Sequence, residues 1–184
     1  MEAEKTVKFN VITTAIFKNV MLFAIAGLVA AVFGFIPLMR WVVNICNILV
    51  VAGFIAFLIR VKDMAMMLEA QDAESANKLC NGVLVYLLSY MLGYIPAAGW
   101  ILEPIAVIVA CVLMLMGIIG LKKSSTFPGA PGMKILFIAM IIGIVGGVFG
   151  IIPVFGIIIA RICRIAFFIM MILGWKKVAE PVAE

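Results

Sequence analysis

The sequence predicts an all-α integral membrane protein with six transmembrane helices. Its 184 residues are 67% hydrophobic and only 12% charged, which is too little polar surface for a soluble globular protein of this size. Apolar stretches of about 18–22 residues recur, the length of helix that crosses a hydrocarbon core of roughly 30 Å. Both faces of each stretch are apolar, so the alternation typical of a membrane β-barrel is absent.

The whole chain, 1–184, is predicted to form one transmembrane domain with short tails at 1–18 and 176–184. The spans are 19–36, 41–60, 79–96, 100–121, 134–152 and 157–175. They pair into three helical hairpins, 19–60, 79–121 and 134–175. Of the two longer linkers, 61–78 is rich in helix-forming residues, which predicts that the helix continues into it or that it lies at the membrane interface, whereas 122–133 is a turn-rich loop.

A Gly-x-Ile-Pro motif recurs at the end of the first, third and fifth spans. Its prolines, Pro37, Pro96 and Pro153, are 59 and 57 residues apart. Proline cannot donate a backbone hydrogen bond and clashes with the preceding turn, so each motif predicts a tight turn between two spans. A fixed period of this kind indicates internal repeats. Since each repeat crosses the membrane twice, we expect parallel repeats around a pseudo-threefold axis along the membrane normal.

The basic residues predict the orientation. Of the 14 lysines and arginines, 11 fall on the side of the membrane that carries both termini and the two longer linkers. By the positive-inside rule, both termini are therefore expected in the cytoplasm. Lysines that meet anionic lipid headgroups account for the net charge of +5, so membrane lipids are the expected partners and nucleic acid is not.

Small residues recur at four-residue spacing in the odd-numbered spans. This spacing lets helix backbones approach closely, which matters because lipid supplies no hydrophobic force between helices. We expect a packing spine on the odd-numbered helices and bulkier surfaces on the even-numbered ones. Two interpretations stay open, ordinary intramembrane packing and a seam that moves. The residues are Gly27, Ala31, Gly34, Ser89, Gly93, Gly143, Gly146, Gly147 and Gly150.

Five polar residues lie inside the even-numbered spans, seven to eleven residues after the prolines. They are Asn44, Asn47, Glu103, Arg161 and Arg164. Charges within a span are costly, so these residues are candidates for function. We expect Glu103 within ion-pairing reach of Arg161 or Arg164, with the fourth and sixth helices meeting near the non-cytoplasmic end. The layer could be a gate or solute site, a structural ion pair, or independent side chains reaching headgroup water.

The sequence lacks the residue patterns of an enzyme. It contains no histidine, and its four cysteines show no Cys-x-x-Cys spacing. Neither a Gly-x-Ser-x-Gly motif nor a phosphate-binding glycine loop occurs. We therefore expect no catalytic activity, no metal and no cofactor.

The layout resembles that of the small six-helix bacterial membrane proteins of the acid-resistance HdeD type. The likeness covers about 18–175 and rests on the three hairpins, the glycines of the first helix and the Gly-x-Ile-Pro turns. It implies a bacterial inner-membrane protein without a defined molecular role; a stress-related membrane component is one form of the structural or assembly hypothesis given below. It carries over no catalytic or binding residue.

The sequence supports two hypotheses for function. In the first, the protein is a structural or assembly component that packs against lipids, partner subunits or further copies of itself; its minimal turns and few intramembrane charges favour this. In the second, it is a small transporter, channel or lipid-handling protein whose site is formed by Glu103, Arg161, Arg164 and Asn44. The position of these polar residues at one depth in related helices favours the second hypothesis.

Cysteine labelling in intact cells tests the topology. A cysteine replacing Ser125, in the second linker, should be shielded from a membrane-impermeant thiol reagent, because this linker is expected in the cytoplasm. A cysteine replacing Met39, in the first turn, should be labelled. The unaltered chain is the control for the four native cysteines, and the opposite labelling pattern would mean that the orientation is inverted.

Overall fold

The computed structural model describes residues 2–93, 95–153 and 155–180, without the side chains of residues 2–5 and Pro37. Most of these residues lie in six α-helices, and a 3-10 turn, Pro37–Met39, precedes the second helix. The part of the chain that the structure describes contains no β-strand, which confirms the predicted all-α fold. The helices are α1 (Glu2–Phe33), α2 (Arg40–Ala65), α3 (Ala70–Leu92), α4 (Gly99–Lys123), α5 (Ala130–Gly150) and α6 (Phe155–Ala179).

Five of the six helices are long and apolar enough to cross a membrane, which makes the chain an integral membrane protein. The exception is α3. Its first half carries Asp72, Glu74 and Lys78, so its mostly apolar part, 79–92, is only about 21 Å long. The prediction of six apolar spans therefore holds for five helices. The predicted third span, 79–96, differs from α3, because this helix starts with polar turns before residue 79 and ends before residue 96.

The helix α1 begins well before the predicted first span. Thr13 and Ile16 are fully buried, and the Thr13 hydroxyl donates a hydrogen bond to the carbonyl of Phe9 at 3.0 Å. The ring of Phe9 packs edge-on against Phe127, with centroids 5.7 Å apart. The segment predicted as a tail, 1–18, is thus helical from its second residue on, because one of its faces covers the core.

The other connections follow the sequence pattern more closely. The linker 61–78 is helical except at 66–69, and the linker 122–133 contains a loop at 124–129. The predicted C-terminal tail, 176–184, starts as the last turn of α6; its last four residues lie outside the described chain. We call the end of the bundle with the turns after α1, α3 and α5 the short-turn end, and the opposite end the loop end.

A buried carboxylate fixes the loop between α4 and α5. Asp72, in the first turn of α3, is 4% exposed. Its Oδ2 accepts hydrogen bonds from the hydroxyls of Ser124 at 2.7 Å and Thr126 at 2.8 Å. Hydrogen bonds to a charged acceptor are among the stronger ones in proteins. The loop is therefore held against α3, and Phe127 within it is only 3% exposed.

The helices form a closed ring. Each helix packs against its neighbours in sequence, and α6 packs against α1. Packing is most extensive within the hairpins α1–α2, α3–α4 and α5–α6, and least extensive between α2 and α3. In this order α5 stands between α4 and α6, the two helices that carry the charged residues of the predicted polar layer.

Aromatic side chains fill the centre of the ring. Phe23 of α1 stacks on Phe54 of α2 with ring centroids 4.0 Å apart, and Phe54 lies 4.9 Å from Tyr86 of α3. Tyr86 in turn stacks on Phe167 of α6 at 5.7 Å. These four rings are at most 4% exposed. Aromatic pairs contribute about 0.5–1.5 kcal/mol beyond the area they bury. We call these four rings, with the fully buried Phe168, the aromatic plug.

Glycines set the closest helix contacts on even-numbered as well as odd-numbered helices. A Cβ added to Gly53 of α2 would lie 2.7 Å from the Cβ of Phe23, and one added to Gly82 of α3 would lie 2.6 Å from the backbone nitrogen of Met114. Gly117 of α4 meets the backbone of α3 in the same way. The expected division into glycine-rich odd helices and bulky even helices is therefore wrong, because a glycine on either member of a helix pair permits the close approach.

Substitution of Gly147 tests this account of packing. A Cβ added there would lie 2.6 Å from Cγ1 of Ile108 and 3.1 Å from the carbonyl oxygen of Pro104, whereas Val145 is 40% exposed on the outer surface. Gly147→Leu should lower the free energy of unfolding by about 1–3 kcal/mol through overpacking. Val145→Leu should change it by less than about 0.5 kcal/mol. Equal thermal unfolding temperatures of the two variants in detergent would contradict the prediction.

Candidate functional site

The three Gly-x-Ile-Pro motifs end their helices with the same backbone hydrogen bond. In each, the isoleucine amide donates to the carbonyl three residues earlier, which tightens the last turn before the proline. The bonds are Ile36 to Phe33 at 2.9 Å, Ile95 to Leu92 at 3.1 Å and Ile152 to Phe149 at 3.0 Å. The amino-terminal ends of α2, α4 and α6 therefore all lie at the short-turn end.

A cavity of about 460 Å³ lies inside the ring at the short-turn end, and we call it the vestibule. Residues of α3, α4, α5 and α6 line it. Trp100, in the first turn of α4, and Pro153, just before α6, are exposed and stand at its mouth. The volume falls within the roughly 300–1,000 Å³ typical of small-molecule sites.

The vestibule belongs to the interior of the bundle. Arg164 lines it and lies on the same face of α6 as Phe167, Phe168, Met171 and Trp175, which are all buried. Residues at these spacings share one face of a helix. The side chain of Arg164 is nevertheless 42% exposed. This exposure is therefore to the vestibule and not to the outer surface of the bundle.

The aromatic plug forms the floor of the vestibule. Tyr86 and Phe167 line the cavity, and their rings are stacked at an interplanar angle of 14°. Beneath them, Phe54 and Phe168 are fully buried. The vestibule is thus a pocket with one closed end.

One wall of the vestibule is nearly free of side chains. It is formed by the glycines of α5, Gly143, Gly146, Gly147 and Gly150. Cβ atoms added to Gly143 and Gly147 would collide with α4, and one added to Gly146 would lie 2.9 Å from the Cβ of Cys163 on α6. The same residues that let α4 and α6 approach α5 therefore also leave the space between them open.

An ion pair crosses the vestibule. Nη2 of Arg164 donates to Oε1 of Glu103 at 3.0 Å, and the Glu103 side chain is 33% exposed. Gly93 at the end of α3 makes room for the carboxylate, since a Cβ there would lie 2.7 Å from Oε2. Helical side chains lean toward the amino terminus of their helix. Because α4 and α6 both begin at the short-turn end, both charged groups lean toward the mouth.

The ion pair has the expected partners but not the expected helix packing. The sequence predicts that the fourth and sixth helices meet near this end. In the structure α5 lies between them and packs against both, and Arg164 reaches Glu103 over the glycine surface of that helix. The long arginine side chain, rather than close contact between the two helices, makes the connection.

The second arginine of the predicted layer, Arg161, also lines the vestibule. Its guanidinium lies 5.0 Å from the centre of the Phe35 ring, a cation–π contact with the turn that follows α1. A Cβ added to Gly34 would lie 3.7 Å from its Cζ atom. Among the residues that the structure describes, no carboxylate pairs with Arg161.

The structure does not bring the two asparagines of the predicted layer to this site. Asn44 is exposed and Asn47 is half-buried, both on α2, and neither lines the vestibule. Their distance from the proline does not predict the direction in which they point. Helix α2 packs against α1 and α3, away from α4 and α6.

The remaining predicted residues support helix packing or turns. Ser89 is 1% exposed and donates to the carbonyl of Tyr86 at 2.7 Å. Gly27 meets the ring of Phe168, and Ala31 is 6% exposed. Of the turn prolines, Pro96 and Pro153 are exposed, and the side chain of Pro37 lies outside the described part of the chain.

The residues that line the vestibule and that sequence reasoning missed include Tyr86, Trp100 and Cys163. The sequence contains one signal that could have identified Tyr86. In the second repeat Tyr86 occupies a position where the first and third repeats have small residues. A large residue at such a position marks a place where neighbouring helices cannot approach closely.

The chemistry available in the vestibule is charge pairing and apolar contact. Across the described ranges, no three histidine, cysteine, aspartate or glutamate side chains lie close enough together to hold a metal ion.

Comparison with protein-family models, with curated proteins and with solved structures gives no match. The fold and the vestibule define a helical, polytopic membrane protein with an interior charged pocket.

Replacing Glu103 by glutamine tests the contribution of the ion pair to stability. The change leaves Arg164 without its partner inside the bundle, so the free energy of unfolding should fall by about 1 kcal/mol, less than for a fully buried pair because both groups are partly exposed. The control is Glu74→Gln, which removes an exposed pair with Lys78 and should cost less than about 0.5 kcal/mol. The measurement is thermal unfolding in detergent.

The charge-reversed pair sharpens this test. Glu103→Arg alone and Arg164→Glu alone each place like charges together, and the double variant restores an ion pair with opposite polarity. The double variant should be more stable than either single variant. If the three variants are equally stable, the two side chains do not interact.

Proposed function

We infer that the protein is a non-enzymatic membrane protein that binds a small amphipathic molecule in the vestibule. This places it in the solute- or lipid-handling class rather than among purely structural components. The observation that carries the proposal is the vestibule itself, an open interior space of about 460 Å³ that holds two arginines and a glutamate.

An energetic argument favours binding over a structural role. A charged residue within a span costs roughly 2.5–3.5 kcal/mol at the membrane centre on insertion scales, and replacing an interior ion pair by apolar residues is often stabilising. A bundle selected for packing alone would gain stability if apolar side chains filled this space. The vestibule instead combines an unfilled volume, a glycine wall and three charged groups.

The closed floor favours binding over conduction in this conformation. The aromatic plug spans from α1 to α6 beneath the vestibule, and its rings are almost completely buried. A solute that enters from the short-turn end meets Tyr86 and Phe167 and goes no further.

The proposal includes the topology predicted from the sequence. With α3 as the sixth span, the termini lie in the cytoplasm, the three hairpins are parallel repeats, and the vestibule opens on the non-cytoplasmic side of a bacterial inner membrane. The 11 basic residues at the loop end and the common hydrogen bond of the three turns support this arrangement. The close packing of α3 against α4 supports a crossing by α3, because it shields Ser75 and Asp72 from lipid.

Native cysteines provide the test. Cys163 lines the vestibule and is half-buried, whereas Cys111 is fully buried and Cys46 is 8% exposed on α2. In the protein purified in detergent, N-ethylmaleimide should modify Cys163 at least tenfold faster than Cys111, as followed by peptide mass spectrometry. Addition of a bacterial polar lipid extract should slow the reaction of Cys163 but not that of Cys46.

Two results would overturn the proposal. A rate at Cys163 as low as that at Cys111 would mean that the vestibule is not accessible. A rate at Cys163 that the lipid extract leaves unchanged would mean that nothing in the extract occupies the vestibule, and the structural or assembly hypothesis would then be preferred.

A further inference from the structure

The charges of the vestibule are unbalanced. Its described lining contains two arginines, Arg161 and Arg164, and one acid, Glu103, so the formal charge is +1. The acid is already engaged, because Oε1 of Glu103 accepts the hydrogen bond from Arg164. Arg161 has only the Phe35 ring as a partner among the described residues. The vestibule therefore holds one guanidinium whose hydrogen-bonding capacity is largely unused.

The rest of the lining is apolar. Val107 of α4 and Ile142 of α5 border the glycine wall between the arginines and the floor, and Ile157 and Ala160 of α6 line the vestibule on the mouth side of Arg161. Such a surface offers no partner for a second polar group and stabilises a hydrocarbon chain by about 0.8 kcal/mol for each methylene that it buries. A small inorganic anion would satisfy Arg161 but leave this surface in contact with water.

We propose that the ligand of the vestibule is an anionic amphiphile, an inference that rests on the proposed function. Its carboxylate or phosphate group binds the guanidinium of Arg161, and its hydrocarbon chain lies along the glycine wall of α5. A guanidinium presents paired donors that match the two oxygens of a carboxylate or phosphate. A cationic head group is disfavoured by the net positive charge of the pocket.

The test uses defined probes against the protein in dodecyl maltoside, whose head group is uncharged. The readout is the rate at which N-ethylmaleimide modifies Cys163, with and without probe, expressed as a ratio within each variant. Dodecanoate should protect Cys163, and dodecyltrimethylammonium, which has the same chain length, should not. Inorganic phosphate alone should not protect it. Dioleoyl phosphatidylglycerol, compared with dioleoyl phosphatidylcholine, shows whether a two-chain membrane lipid also fits.

Two arginine variants locate the head group. Arg161→Gln should weaken protection by dodecanoate about tenfold, read as the shift in the half-protecting concentration. The matched control, Arg40→Gln, removes an exposed arginine at the same end of the bundle that does not line the vestibule, and it should leave protection unchanged.

The outcomes separate this inference from the proposed function. Equal protection by anionic and cationic probes, or protection that Arg161→Gln leaves unchanged, would overturn the anionic assignment and leave a binding vestibule of different specificity. A Cys163 that reacts no faster than Cys111 in any condition would overturn both. Protection by dodecanoate but not phosphatidylglycerol supports a single-chain acid as ligand, and protection by phosphatidylglycerol supports a membrane lipid.

Discussion

Close approach of helix backbones is the constraint on which this structure depends. In lipid, burial of apolar side chains gives no net force between helices, so association relies on packing contacts and on the few polar bonds available. Glycines supply the close contacts between α1 and α2, α1 and α6, α3 and α4, α4 and α5, and α5 and α6. The close glycine contacts of the described chain do not include the α2–α3 interface, and this is also the interface with the least packing.

The vestibule is a consequence of the same constraint. Helix α5 presents glycines to both of its neighbours, so α4 and α6 contact it closely on two sides. Between those two contacts α5 presents mostly glycines to the interior, so a space remains. A charged pair in this space costs less than it would in a filled core, because water can reach it. Packing and the candidate site therefore arise from one set of residues.

The sequence predicts the fold class and part of the site well, for a physical reason. Apolar length and turn prolines determine how many helices there are and at what depth each residue lies. Depth was enough to pair Glu103 with Arg164. It was not enough for Asn44 and Asn47, because the direction of a side chain around a helix depends on which neighbours that helix has. In a helix that is apolar on all sides, no amphipathic pattern marks the inner face.

Two further features required contacts that no local pattern encodes. The hydroxyls of Ser124 and Thr126 reach a carboxylate more than fifty residues earlier, so the fixed loop at the loop end could not be read from its turn-rich composition. The helical start of α1 was hidden because lysines interrupt its apolar pattern, although Ile16 and Thr13 on its inner face are fully buried. In both cases tertiary burial outweighs local sequence.

A wall of glycines distinguishes molecules by width and not by chemistry. Before the last turn of α5 its backbone groups are engaged within the helix, so a chain lying against Gly143 and Gly146 meets Cα hydrogens and finds no donor or acceptor to satisfy. Evolution can change such a wall in one direction only, toward larger residues and a narrower space. In the binding function proposed for the vestibule, recognition is thus divided between two helices. Helix α6 discriminates by charge and α5 by the width of the ligand, so either specificity can be altered without redesigning the other.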